Sequence, residues 1–118
     1  MSKITIYGLK NCDTCRKARK WLDARDISHR FVDYRDDPVP AATLQAWAAA
    51  AGGWDSLVNR RSSTWRQLSE AQRKTSTNAG WLDLVTSHPT LVKRPVLDAG
   101  GSIRVGLDEA AWREYFGR

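Results

Sequence analysis

The sequence predicts an α/β fold: one mixed four-stranded sheet built from a βαβ unit and a ββα unit, with a helical insertion between them. Two short alternating segments near the start, an alanine-rich middle and a glycine-containing hairpin near the end carry this prediction. With 118 residues and 42% hydrophobic content, the chain is long enough for one core and too short for two. We therefore expect a single domain over residues 1–118, with the insertion at approximately 40–88.

The βαβ unit is predicted from the first third of the chain. Residues 3–7 alternate and are rich in β-branched side chains, which is typical of a strand. After a loop, residues 13–25 place apolar side chains at helical spacing, and residues 29–34 alternate again as a second strand. A right-handed crossover would make these two strands parallel.

The insertion is predicted to be helical throughout. The segment 36–40 contains two prolines and breaks the chain, after which the alanine-rich segment 41–51 has the apolar spacing of a helix. Shorter helical pieces are expected at 54–58, 64–68, 70–75 and 81–87. Tryptophans at helical spacing along the whole chain are assigned to the core, namely Trp21, Trp47, Trp81 and Trp112. Trp65 is not assigned to the core, because it lies close to several arginines in the sequence and could instead line the site.

The ββα unit is predicted from the last 25 residues. Strands at 94–97 and 102–105 flank Asp98-Ala99-Gly100-Gly101, a strong hairpin signal. Asp108 is expected to cap a final helix that ends at Phe116.

The motif that says most about chemistry is Cys12-Asp13-Thr14-Cys15, at the start of the first predicted helix. Unpaired backbone N–H groups and the helix dipole favour a thiolate at Cys12. Cys15 lies one turn later and could attack a mixed disulfide formed on Cys12. Residues 10–25 contain six basic and two acidic side chains, a net charge of +4 that also lowers a thiol pKa. We expect Cys12 to be partly or mostly ionised at neutral pH.

Three other interpretations of the cysteine pair remain open. A zinc site would have to recruit both His29 and His88 from distant segments, since there is only one C-x-x-C. A structural disulfide closing so short a loop would stabilise the fold little. Two inert, buried thiols would not need the polar and charged neighbours found here. We expect redox chemistry and no metal.

The whole-chain charge limits the partners. A formal net charge of +6 and a pI near 9.7 favour acidic ligands without selecting one. No segment has the length of a signal h-region or a membrane span, so we expect a cytoplasmic protein with no membrane partner. Direct DNA binding is not expected, because no helix-turn-helix or zinc-finger spacing is present.

Four segments together resemble the arsenate reductase/Spx-type branch of thioredoxin-like proteins, and within it the small bacterial reductase-like members. These segments are residues 7–14, 57–65, 88–96 and 105–106. The resemblance implies a thioredoxin-like fold in which Cys12 is the nucleophile. It also implies that Arg94, before a cis-Pro95, binds an anion or the thiolate, and that Arg61 is a second anion binder, with Arg60 as a one-residue alternative.

Two departures from the family pattern affect the expected function. Classical arsenate reductases of this family carry a third arginine close to the position of Gly106, so the arginine cage is incomplete here. Arg104 would share a strand face with Gly106 and is a conceivable substitute. Cys15 is retained as in the Spx-type regulators, so an internal Cys12–Cys15 disulfide is an option.

Our leading hypothesis is a thiol-disulfide oxidoreductase that uses glutathione as co-substrate and has no tightly bound cofactor. Cys12, Cys15 and Arg94 would be catalytic, and an anionic or disulfide substrate would be held by Lys10, Asn11, Arg61 and Pro95. Glutathione or a glutaredoxin-type protein would donate the thiol. The alternatives are an Spx-type redox switch that binds RNA polymerase and a glutaredoxin-coupled arsenate reductase.

Overall fold

The computed structural model describes residues 4–117. Within this range four strands form one sheet in the order β2-β1-β3-β4, where β1 is Ile4–Gly8, β2 is Arg30–Asp33, β3 is Val96–Ala99 and β4 is Ser102–Val105. The pairing of β1 with β2 is parallel, and the pairings of β1 with β3 and of β3 with β4 are antiparallel. The predicted thioredoxin-like mixed sheet is confirmed. Lys3, predicted to begin the first strand, lies outside the described residues.

Two helices supply most of the core against this sheet. Helix α1 (Asp13–Ala24) buries Ala18, Trp21 and Leu22 in one cluster with Ile6 of β1. These positions recur at three- and four-residue intervals, so they share one helix face. The last helix of the chain, Glu109–Phe116, adds Trp112, whose ring meets that of Trp21 edge to face at 5.8 Å between centroids.

The chain divides into two compact units, which we call the sheet unit and the helical unit. The sheet unit contains the described residues up to Tyr34 and from Arg94 onward. The helical unit is Arg35–Lys93, so it is continuous in sequence and lies between the two halves of the sheet unit along the chain.

The helical unit consists of short helices joined by capped turns. Its helices are α2 (Ala41–Ala51), α3 (Trp54–Leu57), α4 (Ser63–Gln67), α5 (Glu70–Arg73), α6 (Asn78–Ser87) and a 3₁₀ turn (Pro89–Leu91). Ser62, Ser69 and Thr77 each accept a backbone N–H of the helix they precede. No helix in the described range has the length and apolar character needed to cross a membrane.

Element boundaries depart from prediction where backbone donors or caps decide them. The first hairpin strand begins at Val96 rather than Arg94, since Pro95 has no N–H to give to the ladder. It continues to Ala99, so the turn contracts to Gly100 and Gly101, with φ of 66° and 98°. Helix α6 begins three residues before the predicted Trp81, because Thr77 provides its cap. The buried positions predicted for Trp21, Trp47, Trp81 and Trp112 are confirmed.

A candidate thiol site in the sheet unit

The sheet order brings three chain segments to one place. The central strand β1 ends at Gly8 and leads into the loop that carries Cys12. Its parallel neighbour β2 ends beside it, with Asp33 opposite Gly8, so the next residue, Tyr34, lies at the same edge. Its antiparallel neighbour β3 begins there, with Val96 opposite Tyr7, so Arg94 and Pro95 enter from the other side.

Cys12 is the N-cap residue of α1, as predicted. Its backbone is extended, with φ −96° and ψ 122°, and its carbonyl accepts the first helical hydrogen bond from Arg16 at 3.0 Å. Its own N–H donates to the Leu9 carbonyl at 3.2 Å, which closes the loop after β1. The side chain is partly exposed at the helix N-terminus, so the sulfur is accessible.

Arg94 connects Cys12 to Tyr34. The Arg94–Pro95 peptide bond is cis, as the family resemblance implied. The Arg94 guanidinium donates hydrogen bonds to the Cys12 sulfur and to the Tyr34 phenol oxygen. The half-buried cation and the partly exposed sulfur therefore form a charge-assisted pair next to a buried tyrosine.

The environment of Cys12 favours its thiolate. Burial of the sulfur opposes ionisation, but the backbone N–H of Cys15, the Arg94 guanidinium and the Cys15 thiol together lower the pKa of Cys12. The direction is the one expected from the sequence. The dominant cation, however, is Arg94 rather than the basic residues of α1.

Three of those helix cations are engaged with other groups. Arg16 pairs with Asp13 at 3.0 Å, Arg19 lies 4.4 Å from the Phe31 ring centroid, and Arg25 lies 3.9 Å from that of Trp21. They contribute net charge to the surface around α1 rather than contacts at the sulfur.

Cys15 has the opposite character to Cys12. Its side chain is 1% exposed, and burial, reinforced by the nearby Cys12 sulfur, raises the pKa of Cys15 to about 11. The sulfur lies directly over Gly8, where an added Cβ would overlap it. The two cysteines are therefore an accessible, readily ionised thiol and a sealed, protonated one.

The remaining predicted anion binders in the sheet unit lie around the same loop. Lys10 and Asn11 are exposed in the turn before Cys12, and the Lys10 N–H donates to the buried Asp33 carboxylate at 3.0 Å. Pro95 is fully buried, and its carbonyl accepts from the Gly106 N–H at 2.8 Å.

Arg61 belongs to the helical unit. Its side chain is exposed, and its N–H donates to the Asn59 side chain at 3.0 Å. The alternative, Arg60, is already engaged, because it pairs with Asp55 and lies 5.4 Å from the Trp65 ring centroid. Anion binding by Arg61 stays a prediction.

Substitution of the missing arginine by Arg104 is not supported. Gly106 lies beyond β4 at φ +83°, so it does not share a strand face with Arg104. The Arg104 guanidinium stacks 4.7 Å from the Tyr115 ring centroid. The premise of a shared face was therefore wrong.

The histidines have local roles. His29 lies 3.0 Å from the Ile27 carbonyl through Nδ1, and His88 is the C-cap residue of α6. Across residues 4–117, no three side chains of His, Cys, Asp or Glu are grouped as metal ligands.

Comparison with known proteins decides the family. Residues 7–115 match the ArsC family. The chain belongs to the ArsC family. The solved structure of a protein named YffB is 37% identical, with a TM-score of 0.88 over 95% of this chain and 97% of that one.

Two further relatives of this ArsC-family protein have different descriptions. An arsenate reductase (ArsC) related protein from Brucella melitensis is 39% identical, with a TM-score of 0.75 over 98% of this chain and 96% of that one. The global transcriptional regulator Spx of Lactiplantibacillus plantarum is 26% identical over 98% of this chain and 87% of its own. Relatives of this chain are thus described both as arsenate reductase related and as a transcriptional regulator.

Sequence reasoning did not single out Tyr34 or Gly8. Tyr34 was the last residue of a predicted strand, and its partner is distant in the chain, so no local pattern marked it. A usable signal existed for Gly8, because a glycine ending a strand often marks a close approach of another group. In this ArsC-family chain that group is the Cys15 sulfur.

Proposed function

We propose that this protein is a thiol-disulfide oxidoreductase in which Cys12 is the nucleophile and Arg94 binds the anion. The observation that carries the proposal is the contact between the Arg94 guanidinium and the Cys12 sulfur at the N-terminus of α1. A cation and helical N–H groups at a partly exposed sulfur are the environment of reactive cysteines.

The proposed reaction is thiol-disulfide exchange. The Cys12 thiolate attacks one sulfur of a disulfide, the S–S bond breaks, and the other sulfur leaves as a thiolate that takes up a proton. The resulting mixed disulfide on Cys12 is attacked by a second thiolate, which releases Cys12. This exchange releases one substrate thiol and leaves the other half of the substrate joined to the attacking thiol. A second donor thiol then displaces that half, so two donor thiols are oxidised to one disulfide for each substrate disulfide reduced. The positive charge of Arg94 would hold an anionic substrate or thiol donor near the sulfur.

Glutathione fits the second thiol better than Cys15 does. The Cys15 sulfur is sealed, and its raised pKa leaves little thiolate at neutral pH. Glutathione is anionic and arrives from solvent, where a net charge of +6 favours it. Lys10 and Asn11, both exposed in the turn before Cys12, are the proposed contacts for its carboxylates or for an anionic substrate. Arg61, exposed in the helical unit, stays a proposed anion binder.

Mass spectrometry after mixing with oxidised glutathione tests the proposal. We expect one glutathione on Cys12 in the wild type and in Cys15→Ser, and none in Cys12→Ser. Glutathione-dependent turnover of a small disulfide should survive Cys15→Ser and vanish in Cys12→Ser. Turnover that survives loss of Cys12 would remove the proposal, and turnover lost in Cys15→Ser would replace glutathione by Cys15 as the resolving thiol.

The second candidate is a redox-switched regulator that binds RNA polymerase. Its support is the 26% identity to Spx together with the retained Cys15. A pull-down with polymerase under oxidising and reducing conditions tests it, and equal absence of binding in both would exclude it. Arsenate reduction has weaker support because Gly106 supplies no third arginine. Arsenite production with glutaredoxin present would be its test.

A further inference from the structure

Tyr34 is held firmly where the chain leaves the sheet unit. Its N–H donates to the Gly8 carbonyl at 3.2 Å, which continues the register of β2 beside β1. Its side chain is only 2% exposed. Main-chain pairing and burial together fix the position of the phenol oxygen.

The phenol oxygen meets the residue at which the chain re-enters the same unit. Arg94 donates one hydrogen bond to this oxygen and another to the Cys12 sulfur. An arginine side chain has many rotamers, so a single contact to a partly exposed sulfur would hold it poorly. The fork geometry of the guanidinium allows both hydrogen bonds at once.

A tyrosine can orient Arg94 without neutralising it. Burial raises the pKa of Tyr34 to about 12, so the phenol stays neutral at physiological pH. A carboxylate at this position would pair with the guanidinium and cancel its charge. The full positive charge of Arg94 therefore remains available to the sulfur and to an anionic ligand.

We propose that Tyr34 is a positioning residue: its phenol oxygen holds the Arg94 guanidinium against Cys12 Sγ, and so controls the reactivity of that sulfur. The inference rests on the proposed role of Cys12 as the nucleophile. The titratable groups facing Cys12 are Cys15 on α1 and Arg94 before β3, with Tyr34 behind Arg94.

Tyr34→Phe tests the proposal by removing one oxygen and keeping the ring. The measurement is the rate of Cys12 alkylation by iodoacetamide against pH, followed by mass spectrometry of the intact protein. We expect the midpoint to move to higher pH and the rate at pH 7 to fall about three- to tenfold, the range for one ordinary hydrogen bond. Tyr115→Phe is the matched control, because that exposed tyrosine contacts Arg104 instead, and its profile should equal the wild type.

Arg94→Ala shows whether Tyr34 acts through Arg94. In that background Tyr34→Phe should change the alkylation profile no further, since the oxygen has no guanidinium left to hold. The same shift in both backgrounds would overturn the proposal. A low alkylation midpoint in the wild type that Tyr34→Phe leaves unchanged would also overturn the proposed role of Tyr34. In that case the proposed function of Cys12 would stand. A wild-type midpoint at the value of free cysteine would overturn both.

Discussion

At the scale of single residues, the packing of Cys15 on Gly8 makes a side chain at position 8 costly. An alanine Cβ there would overlap the buried sulfur, and the strand at this point is central in the sheet. We expect Gly8→Ala to lower the free energy of unfolding by about 1 to 3 kcal/mol, the range for overpacked cores. Urea denaturation of the wild type and of Gly8→Ala measures this difference in the free energy of unfolding.

The control for Gly8→Ala is the same change in a Cys15→Ala background. Removing the sulfur leaves space for the new methyl group, so there the substitution should cost much less. Equal losses in both backgrounds would mean that the backbone, and not the sulfur, requires glycine.

The buried thiol of Cys15 links stability to alkaline pH. Burial raises the pKa of Cys15 to about 11 from its usual 9.0, so the folded state holds the proton more tightly than the unfolded state does. The stability that this contributes is complete below about pH 9 and is lost as pH rises through about 11. A difference of this size corresponds to about 2 to 3 kcal/mol.

We expect this loss of stability at high pH to disappear when the Cys15 sulfur is removed. Unfolding of Cys12→Ser and of Cys12→Ser/Cys15→Ala should be compared at about pH 8 and pH 11, because the two variants differ only at position 15. The variant that keeps Cys15 should lose about 2 kcal/mol more. Parallel losses would contradict the assignment of a protonated, sealed thiol.

The sequence predicted the part of the site that neighbouring residues specify. It did not by itself predict the part that depends on residues distant in the chain. Cys12 at a helix N-terminus follows from a strand, a loop and a helix in order, which nearby residues specify. The basic residues in and next to α1 suggested the source of positive charge, yet the three arginines among them contact Asp13, Phe31 and Trp21. Arg94 was assigned through family resemblance, and Tyr34 was not assigned, because their contact depends on strand order.

At the scale of elements, the last helix depends on a cap at its start. Asp108 accepts the Ala111 N–H at 3.1 Å, and the helix Glu109–Phe116 is only eight residues long. Asp108→Ala should cost about 1 kcal/mol of unfolding free energy, and Asp108→Asn should retain most of it because the amide oxygen still accepts. Glu114→Ala, an exposed change in the same helix, is the control in thermal denaturation. A loss no larger than that of Glu114→Ala would argue against the cap.

The sequence predicted the type of an element where its periodic pattern is long. It did not predict the boundaries of an element where a single residue decides them. The segment 41–51 was predicted to the residue, since alanine content and the glycines that follow agree. Strand β3 was displaced by two residues, because the missing N–H of Pro95 and the two positive-φ glycines act more locally than the alternating pattern does.

At the scale of the whole molecule, the strand order explains how a short protein assembles a site from distant segments. A central β1 has a neighbour on each side, so the ends of β2 and β3 necessarily meet the loop that follows β1. Fifty-nine residues, Arg35–Lys93, intervene between Tyr34 and Arg94 without separating them. The strand order therefore keeps Tyr34 and Arg94 close together although they are distant along the chain.

The net charge of +6 should make the reaction of Cys12 depend on both salt and substrate charge. The Debye length falls from about 30 Å at 0.01 M to about 8 Å at 0.15 M ionic strength, so attraction from charges beyond Arg94 is screened. Formation of the Cys12 mixed disulfide with anionic oxidised glutathione should slow several-fold over that range. With neutral 2-hydroxyethyl disulfide the rate should change little, because there is no attraction to screen. Stopped-flow mixing followed by mass spectrometry gives both rate constants, and equal salt dependence for the two disulfides would show that the surface charge does not guide the substrate.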